Sequence, residues 1–173
     1  MAEMTVPERD NFLDEVRVGV LAIERADKGP LCAPVWYRYS SETGFEIAMA
    51  YASAKSVLLR RHGAATICVQ DEQLPYRYVT AEGEVSVELL TPEERDDLLR
   101  DIAIRYLGEE LGNQYADSFP GHEEAKVTIV PRRWNDFCHC PAEWTCKQRA
   151  LLLVSFTVSF TSLCSALLLR FLL

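Results

Sequence analysis

Apolar and polar positions alternate with a period of two along several short stretches of this chain. Arg17–Arg25 (RVGVLAIER), Leu31–Tyr39 (LCAPVWYRY), Phe45–Tyr51, Ala64–Gln70, Tyr76–Leu89 (YRYVTAEGEVSVEL) and Lys126–Trp134 (KVTIVPRRW) are each β-branched or aromatic and bounded by turn residues, which predicts six strands. Asp27-Lys28-Gly29-Pro30 and Ser40–Gly44 supply turns between the first three. Gly83 interrupts the long fifth strand and predicts a bulge or bend there.

Helical spacing appears in four places. A short helix runs from about Pro7 to Glu15. Ser53 is a good N-cap for a second over Ser53–His62. Thr91, Pro92 and Glu94 form a capping box with proline at the first position, and Leu98, Leu99, Ile102 and Tyr106 carry an apolar stripe to Gly108. Glu109–Ala116 predicts a further short helix. Short strands in sequence with one helical excursion predict a mainly β fold, a closed antiparallel barrel.

Length and charge narrow the function. One domain accounts for most of the 173 residues. A formal net charge of −8 argues against nonspecific nucleic-acid binding, which needs a basic face to displace counterions. The first fourteen residues hold Glu3, Glu8, Arg9, Asp10 and Asp14 and no apolar run, so they do not read as a signal peptide and a cytoplasmic protein is expected.

The composition changes near residue 137. Residues 1–136 mix both charges with short strands, whereas 137–173 contain one acidic residue, Glu143, and are rich in Cys, Ser and Leu. Ala150–Leu169 is uncharged and flanked by Lys147, Arg149 and Arg170. Three readings stand open: a membrane anchor of spanning length, a core or interface helix, and an end read in an altered frame. Cys138, Cys140 and Cys146 lack the paired spacing of a zinc site, so no metal is expected. Cys32 and Cys68 lie in strand segments and are expected as buried free thiols.

No GxGxxG, P-loop or nucleophile motif is present, so hard chemistry would belong to a cofactor. The informative stretch is Ser53-Ala54-Lys55 with Arg60 and Arg61 beyond. A helix start offers free N–H groups to an anion. A lysine in the first turn is electrostatically disfavoured unless an anion sits beside it.

GPLCAPVWYRY (29–39), AYASAKSVLLRR (50–61) and YRYVTAEGEVSVE (76–88) together resemble the pyridoxamine 5'-phosphate oxidase-like proteins, and are most similar to their branch using the deazaflavin F420. The resemblance implies a six-stranded antiparallel split β-barrel of the FMN-binding type, a homodimer with its cleft at the interface, and an oxidoreductase using F420 or, alternatively, FMN. It also leaves room for a non-catalytic flavin or tetrapyrrole carrier. It implies phosphate contacts from Ser53 and Lys55, further anion contacts from Arg60 and Arg61, ring contacts from Pro34, Val35, Trp36 and Tyr37, and backbone contacts at Met49 and Ala50. Trp36 and Tyr37 are adjacent on a strand, so one faces the core and the other the cleft. Tyr78 and Thr80 are weaker candidates for the dimer-related site. The arginine of the oxidase pattern is replaced by Ala33, which argues against a true pyridoxamine-phosphate oxidase.

Overall fold

The computed structural model describes residues 3–74, 76–118 and 123–138. The sequence from His139 onward, with the apolar run 150–169 and Cys140 and Cys146, lies outside the described residues. Among the described residues no helix is long and apolar enough to cross a membrane.

The elements follow the local patterns closely. Helix α1 (Val6–Asp14) leads into β1 (Gly19–Ile23), β2 (Leu31–Val35), β3 (Arg38–Ser40) and β4 (Gly44–Ala50). Helix α2 (Ala54–His62) separates these from β5 (Ala64–Asp71) and β6 (Arg77–Leu89). Helices α3 (Pro92–Leu107) and α4 (Glu109–Asp117) precede the last strand, β7 (Glu124–Cys138). All strands join one antiparallel sheet in the order β2-β1-β5-β6-β7-β4-β3.

That order corrects the expected strand count from six to seven. The single strand expected over Leu31–Tyr39 is broken at Trp36 and Tyr37, and its halves pair on opposite edges of the sheet. Val35 and Arg38 are three residues apart, so the two edges lie within about 11 Å of each other. A sheet whose first and last strands are tied so closely must curl into a barrel, and the tie is the split in it. Local alternation cannot reveal this, because both halves keep the same period and only long-range pairing separates them.

The inward face is the core. Leu21, Ile23, Val35, Phe45, Ile47, Met49, Ile67, Val69, Val79, Ala81, Val127 and Ile129 alternate with outward residues along their strands and are buried together. Phe12 and Leu13 of α1 and Leu59 of α2 plug the barrel. Burying a side chain of this size stabilises by about 1.5–3 kcal/mol.

Two glycines shape the sheet. Gly44 begins β4 at φ +84°, where a Cβ would meet the Ile129 carbonyl at 2.2 Å. Gly83 marks the expected bulge: Glu82 pairs with Arg133 and Gly83 with Pro131, leaving Arg132 as the extra residue. A Cβ on Gly83 would sit 2.3 Å from the Val130 carbonyl, so the close approach requires glycine.

Strand β7 runs two residues past the change of composition. Phe137 pairs with Tyr78 and stacks on it, and the buried Cys138 pairs with Arg77. The cysteine expectation needs correction as well. Cys32 is exposed and Cys68 half-buried, because both side chains point out of the barrel.

Candidate functional site

A cleft of about 390 Å³ opens beside the split. Pro34 and Val35 come from β2, Trp36 from the crossing, and Ile47, Ala48 and Met49 from β4. Helix α3 roofs it with Leu99 and Ile102, α4 adds Tyr115, Val18 closes one side, and Lys55 enters from the first turn of α2. The walls are therefore apolar and aromatic, with one full charge at the rim.

Two aromatic side chains define the crossing. The Trp36 ring stacks on Tyr106 at 4.9 Å with an interplanar angle of 6° and tilts against Tyr115 at 5.4 Å. Tyr37 turns the other way and is fully buried, its hydroxyl donating to the Leu13 carbonyl at 3.2 Å. Burial raises its phenol above the ordinary range, so the proton stays on and the donation is maintained. The expected division between a core-facing and a cleft-facing ring thus holds, with Tyr37 in the core and away from the cleft lining.

Tyr106 fixes the crossing from α3. Its hydroxyl donates to the Arg17 carbonyl at 2.7 Å and accepts the Tyr37 backbone N–H at 3.2 Å. The break in strand pairing at Trp36-Tyr37 would leave that N–H unsatisfied inside the protein, and a buried orphan donor costs about 1–3 kcal/mol.

The start of α2 is capped by a side chain. Ser53 caps the helix, its Oγ accepting the Ser56 N–H at 3.2 Å. The hydroxyl still has its own proton to donate. Lys55 is half-buried and, among the described residues, has no carboxylate within ion-pair distance. Ser53 is not part of the cleft lining, whereas Lys55 is, and an anion beside the first turn would meet the positive end of the helix dipole.

The remaining expected residues have other places. Arg60 donates to the Tyr51 carbonyl at 2.9 Å and to Ser56 Oγ at 3.0 Å, and its guanidinium lies 4.0 Å over the Tyr51 ring. Arg61 is exposed. Neither lines the cleft. The Ala50 carbonyl accepts the Ser53 N–H at 3.0 Å, closing the turn into α2. Pro34, Val35, Trp36, Met49 and Lys55 are brought together at the cleft.

Sequence reasoning missed the roof. Leu99, Ile102, Tyr106 and Tyr115 read as ordinary core positions of an amphipathic helix pair. The one available signal was the width of the stripe, with Leu98 and Leu99 side by side. Leu98 is buried and Leu99 is left half-buried on the cleft. Among the described residues no group of His, Cys, Asp and Glu could hold a metal ion.

Comparison with solved structures places this architecture. A conserved hypothetical protein from Mycobacterium tuberculosis superposes with a TM-score of 0.66 at 24% identity, over 79% of this chain and 86% of that one. An F420 reductase superposes at 0.58 and 18% identity, over 73% and 94%. A putative pyridoxamine 5'-phosphate oxidase from Listeria innocua superposes at 0.56 and 16% identity, over 73% and 93%. The chain has the pyridoxamine 5'-phosphate oxidase-like split-barrel fold. The same fold carries HutZ, the heme storage protein of Vibrio cholerae, at 0.56 and 15% identity over 77% and 93%. No family model matches the sequence, and no curated protein matches it. Identities this low speak for the split barrel alone.

Proposed function

We propose that the cleft binds a flavin-type cofactor, and that the protein is an oxidoreductase using F420, with FMN as the alternative within the same site. The observation that carries this reading is Lys55: a half-buried lysine, without an ion-pair partner among the described residues, in the lining of an apolar, aromatic cleft. The residues present fit such a group. A phosphate would take the Ser53 hydroxyl, the Lys55 ammonium and the helix N-terminus, while a planar ring system would lie among Pro34, Val35, Trp36 and Met49.

Bound there, a reduced deazaflavin would supply a hydride for an electron-poor conjugated substrate. The protein's part is orientation and exclusion of water. Lys55 neutralises and anchors, and the Tyr106 hydroxyl holds the Trp36-Tyr37 crossing in place. Leu99, Ile102 and Tyr115 cover the reaction space. No side chain of the cleft is needed as acid or base.

A heme carrier would reuse the fold but asks for a different donor set. Iron in heme takes an axial His, Met, Cys or Tyr. His62 is the one histidine among the described residues; it lies in the last turn of α2 near Glu24 and is not part of the cleft lining. Met49 and Tyr115 do line the cleft, so the flavin reading is preferred for Lys55 and the α2 N-terminus and not because axial donors are missing.

Homodimerisation through the outward face of β1 belongs to the same proposal. Val18 and Val20 are 46% and 40% exposed there, and Val18 also lines the cleft. A second copy on this face would cover both and narrow the opening.

The test is titration of the full chain with F420 and with FMN, beside Lys55→Ala. Saturable binding that weakens tenfold or more in the variant is expected. Absence of binding by folded protein would remove the oxidoreductase reading. Sedimentation of the same sample checks the dimer.

A further inference from the structure

Helices α2 and α3 begin at the same end of the barrel. The Tyr51 N–H, just before α2, donates to the Glu123 carbonyl at 2.9 Å, and the Leu90 N–H, just before α3, donates to the Glu124 carbonyl at 3.0 Å. These consecutive carbonyls mark the start of β7, which lies between β4 and β6. With strands about 4.8 Å apart, the two helix starts are separated by roughly 10 Å. Both N-termini are capped, by Ser53 and Thr91, and both direct the positive end of a helix dipole to this end of the fold.

Arg95 lies in the second turn of α3. It is the one arginine classed as buried among the described residues, with a side chain 9% exposed. Its Nη1 reaches only the neighbouring Asp96, at 2.5 Å, a carboxylate that is itself 54% exposed. Its Nε and Nη2 are buried without a hydrogen-bond partner. The other buried guanidinium nitrogens in this condition are single Nε atoms of Arg9, Arg77 and Arg105. Those side chains pair through their outer nitrogens with Asp136, with Asp71, and with the Leu13 and Glu15 carbonyls. Among the described residues Arg95 alone leaves two N–H-bearing nitrogens without a partner, at a position where an incompletely satisfied charge is costly.

Its place on the helix connects it to the cleft. Arg95, Leu99 and Ile102 follow the i, i+4, i+7 spacing of one helix face, and Leu99 and Ile102 line the cleft together with Lys55. Arg95 is not itself part of that lining; helical side chains lean toward the helix N-terminus, so it lies beyond Leu99 on the side where α2 also begins. Two vacant guanidinium nitrogens form the fork that an oxyanion fills bidentately.

We propose that Arg95 receives a second anionic group of the ligand, a phosphate or carboxylate separate from the group held at Ser53 and Lys55. This rests on the cofactor reading of the cleft and narrows it to ligands with at least two anionic groups spaced along their length. F420, with a phosphodiester and terminal carboxylates, has that form. FMN, with one phosphate, does not. The second group comes either from the cofactor or from a carboxylate-bearing substrate.

The experiment compares wild type, Arg95→Gln and Arg95→Lys as full chains. Titration with F420 and FMN is expected to show Arg95→Gln weakening F420 tenfold or more and FMN less than threefold, with Arg95→Lys in between. In that case the cofactor supplies the second group. If F420 is unaffected while the wild type, and not Arg95→Gln, binds benzoate in the presence of F420, the substrate supplies it. Equal weakening of FMN and F420 would overturn the two-group form, and unchanged binding of F420 and benzoate would overturn the proposal.

Thermal melting without cofactor gives a separate readout. Inorganic phosphate, at constant ionic strength, is expected to raise the melting temperature of Lys55→Ala and not of Lys55→Ala/Arg95→Gln. Arg95→Gln alone is expected to melt no lower than wild type, since it removes a buried charge whose partner, Asp96, is exposed and whose Nε and Nη2 are unsatisfied. A lower melting temperature with phosphate response intact would make Arg95 structural and overturn the proposal. If neither cofactor binds wild type while the Arg95-dependent phosphate response persists, the cofactor reading fails and the anion site stands.

Discussion

Two groups of cations in this molecule are treated in opposite ways. Beside α1, Arg17 and Arg77 converge on Asp71 at 3.1 and 2.8 Å, share Glu15, and lie over the Phe12 ring at 4.4 and 4.9 Å. Every charge there has its partner within the chain. At the cleft end, among the described residues, Lys55 has no such partner and Arg95, paired only with the exposed Asp96, leaves two nitrogens unsatisfied. A self-paired cluster contributes to folding; a cation left unpaired or only partly paired near an apolar cleft can serve something that is not part of the fold. The contrast is one of completeness, since both regions are partly buried.

The sharpest way to break the comparison is to unbalance the satisfied cluster. Asp71→Ala leaves two arginines facing each other and is expected to cost about 3 kcal/mol of unfolding free energy, near the low end for breaking a buried pair. Urea denaturation reads this, and cofactor affinity should not change. Tyr106→Phe removes the acceptor for the Tyr37 N–H and the donor to the Arg17 carbonyl while keeping the ring against Trp36. A loss of about 2 kcal/mol is expected, together with changed Trp fluorescence from the released crossing.

Lys55→Ala tests the other side. It is expected to weaken cofactor binding at least tenfold, or about 1.4 kcal/mol, and to leave the urea midpoint within about 0.5 kcal/mol of wild type, as for a surface substitution away from structural contacts. Loss of stability without loss of binding would place Lys55 with the structural cations.

The smallest effect is in acid. Burial alone would raise the Asp71 carboxyl, but the Arg77 hydrogen bond, the Gln73 N–H and the Arg17 charge outweigh it, so the carboxyl is held below its ordinary value near 3.8. A depressed carboxylate contributes stability that is complete above the unfolded value and is lost as pH falls through the folded one. Stability of the wild type is therefore expected to drop below about pH 4 more steeply than that of Asp71→Asn, measured by urea midpoints across the acid range.

Much of the fold was legible before any coordinates. The capping box at Thr91 and Glu94, the N-cap at Ser53, the bulge at Gly83 and all four helices appear as expected, because each is decided by residues within one turn or one strand of each other. Half of the candidate site was legible too. Pro34, Val35, Trp36, Met49 and Lys55 meet at the cleft, while Arg60 is occupied with Tyr51 and Ser56. A guanidinium that satisfies its own loop looks the same in sequence as one that waits for a ligand.

What the sequence by itself determined, then, is the set of local elements, the bulge at Gly83 and the capped starts of α2 and α3. Period, capping chemistry and charge are short-range properties. Only the tertiary structure decided that Leu31–Ser40 is divided between the two edges of one sheet, that Trp36 faces a cleft while Tyr37 faces the core, that α3 and α4 roof that cleft, and that Arg95 is buried with two vacant nitrogens. Each of these depends on which distant segments pair and pack, and the energy of that choice is spread over the whole barrel rather than written at any one position.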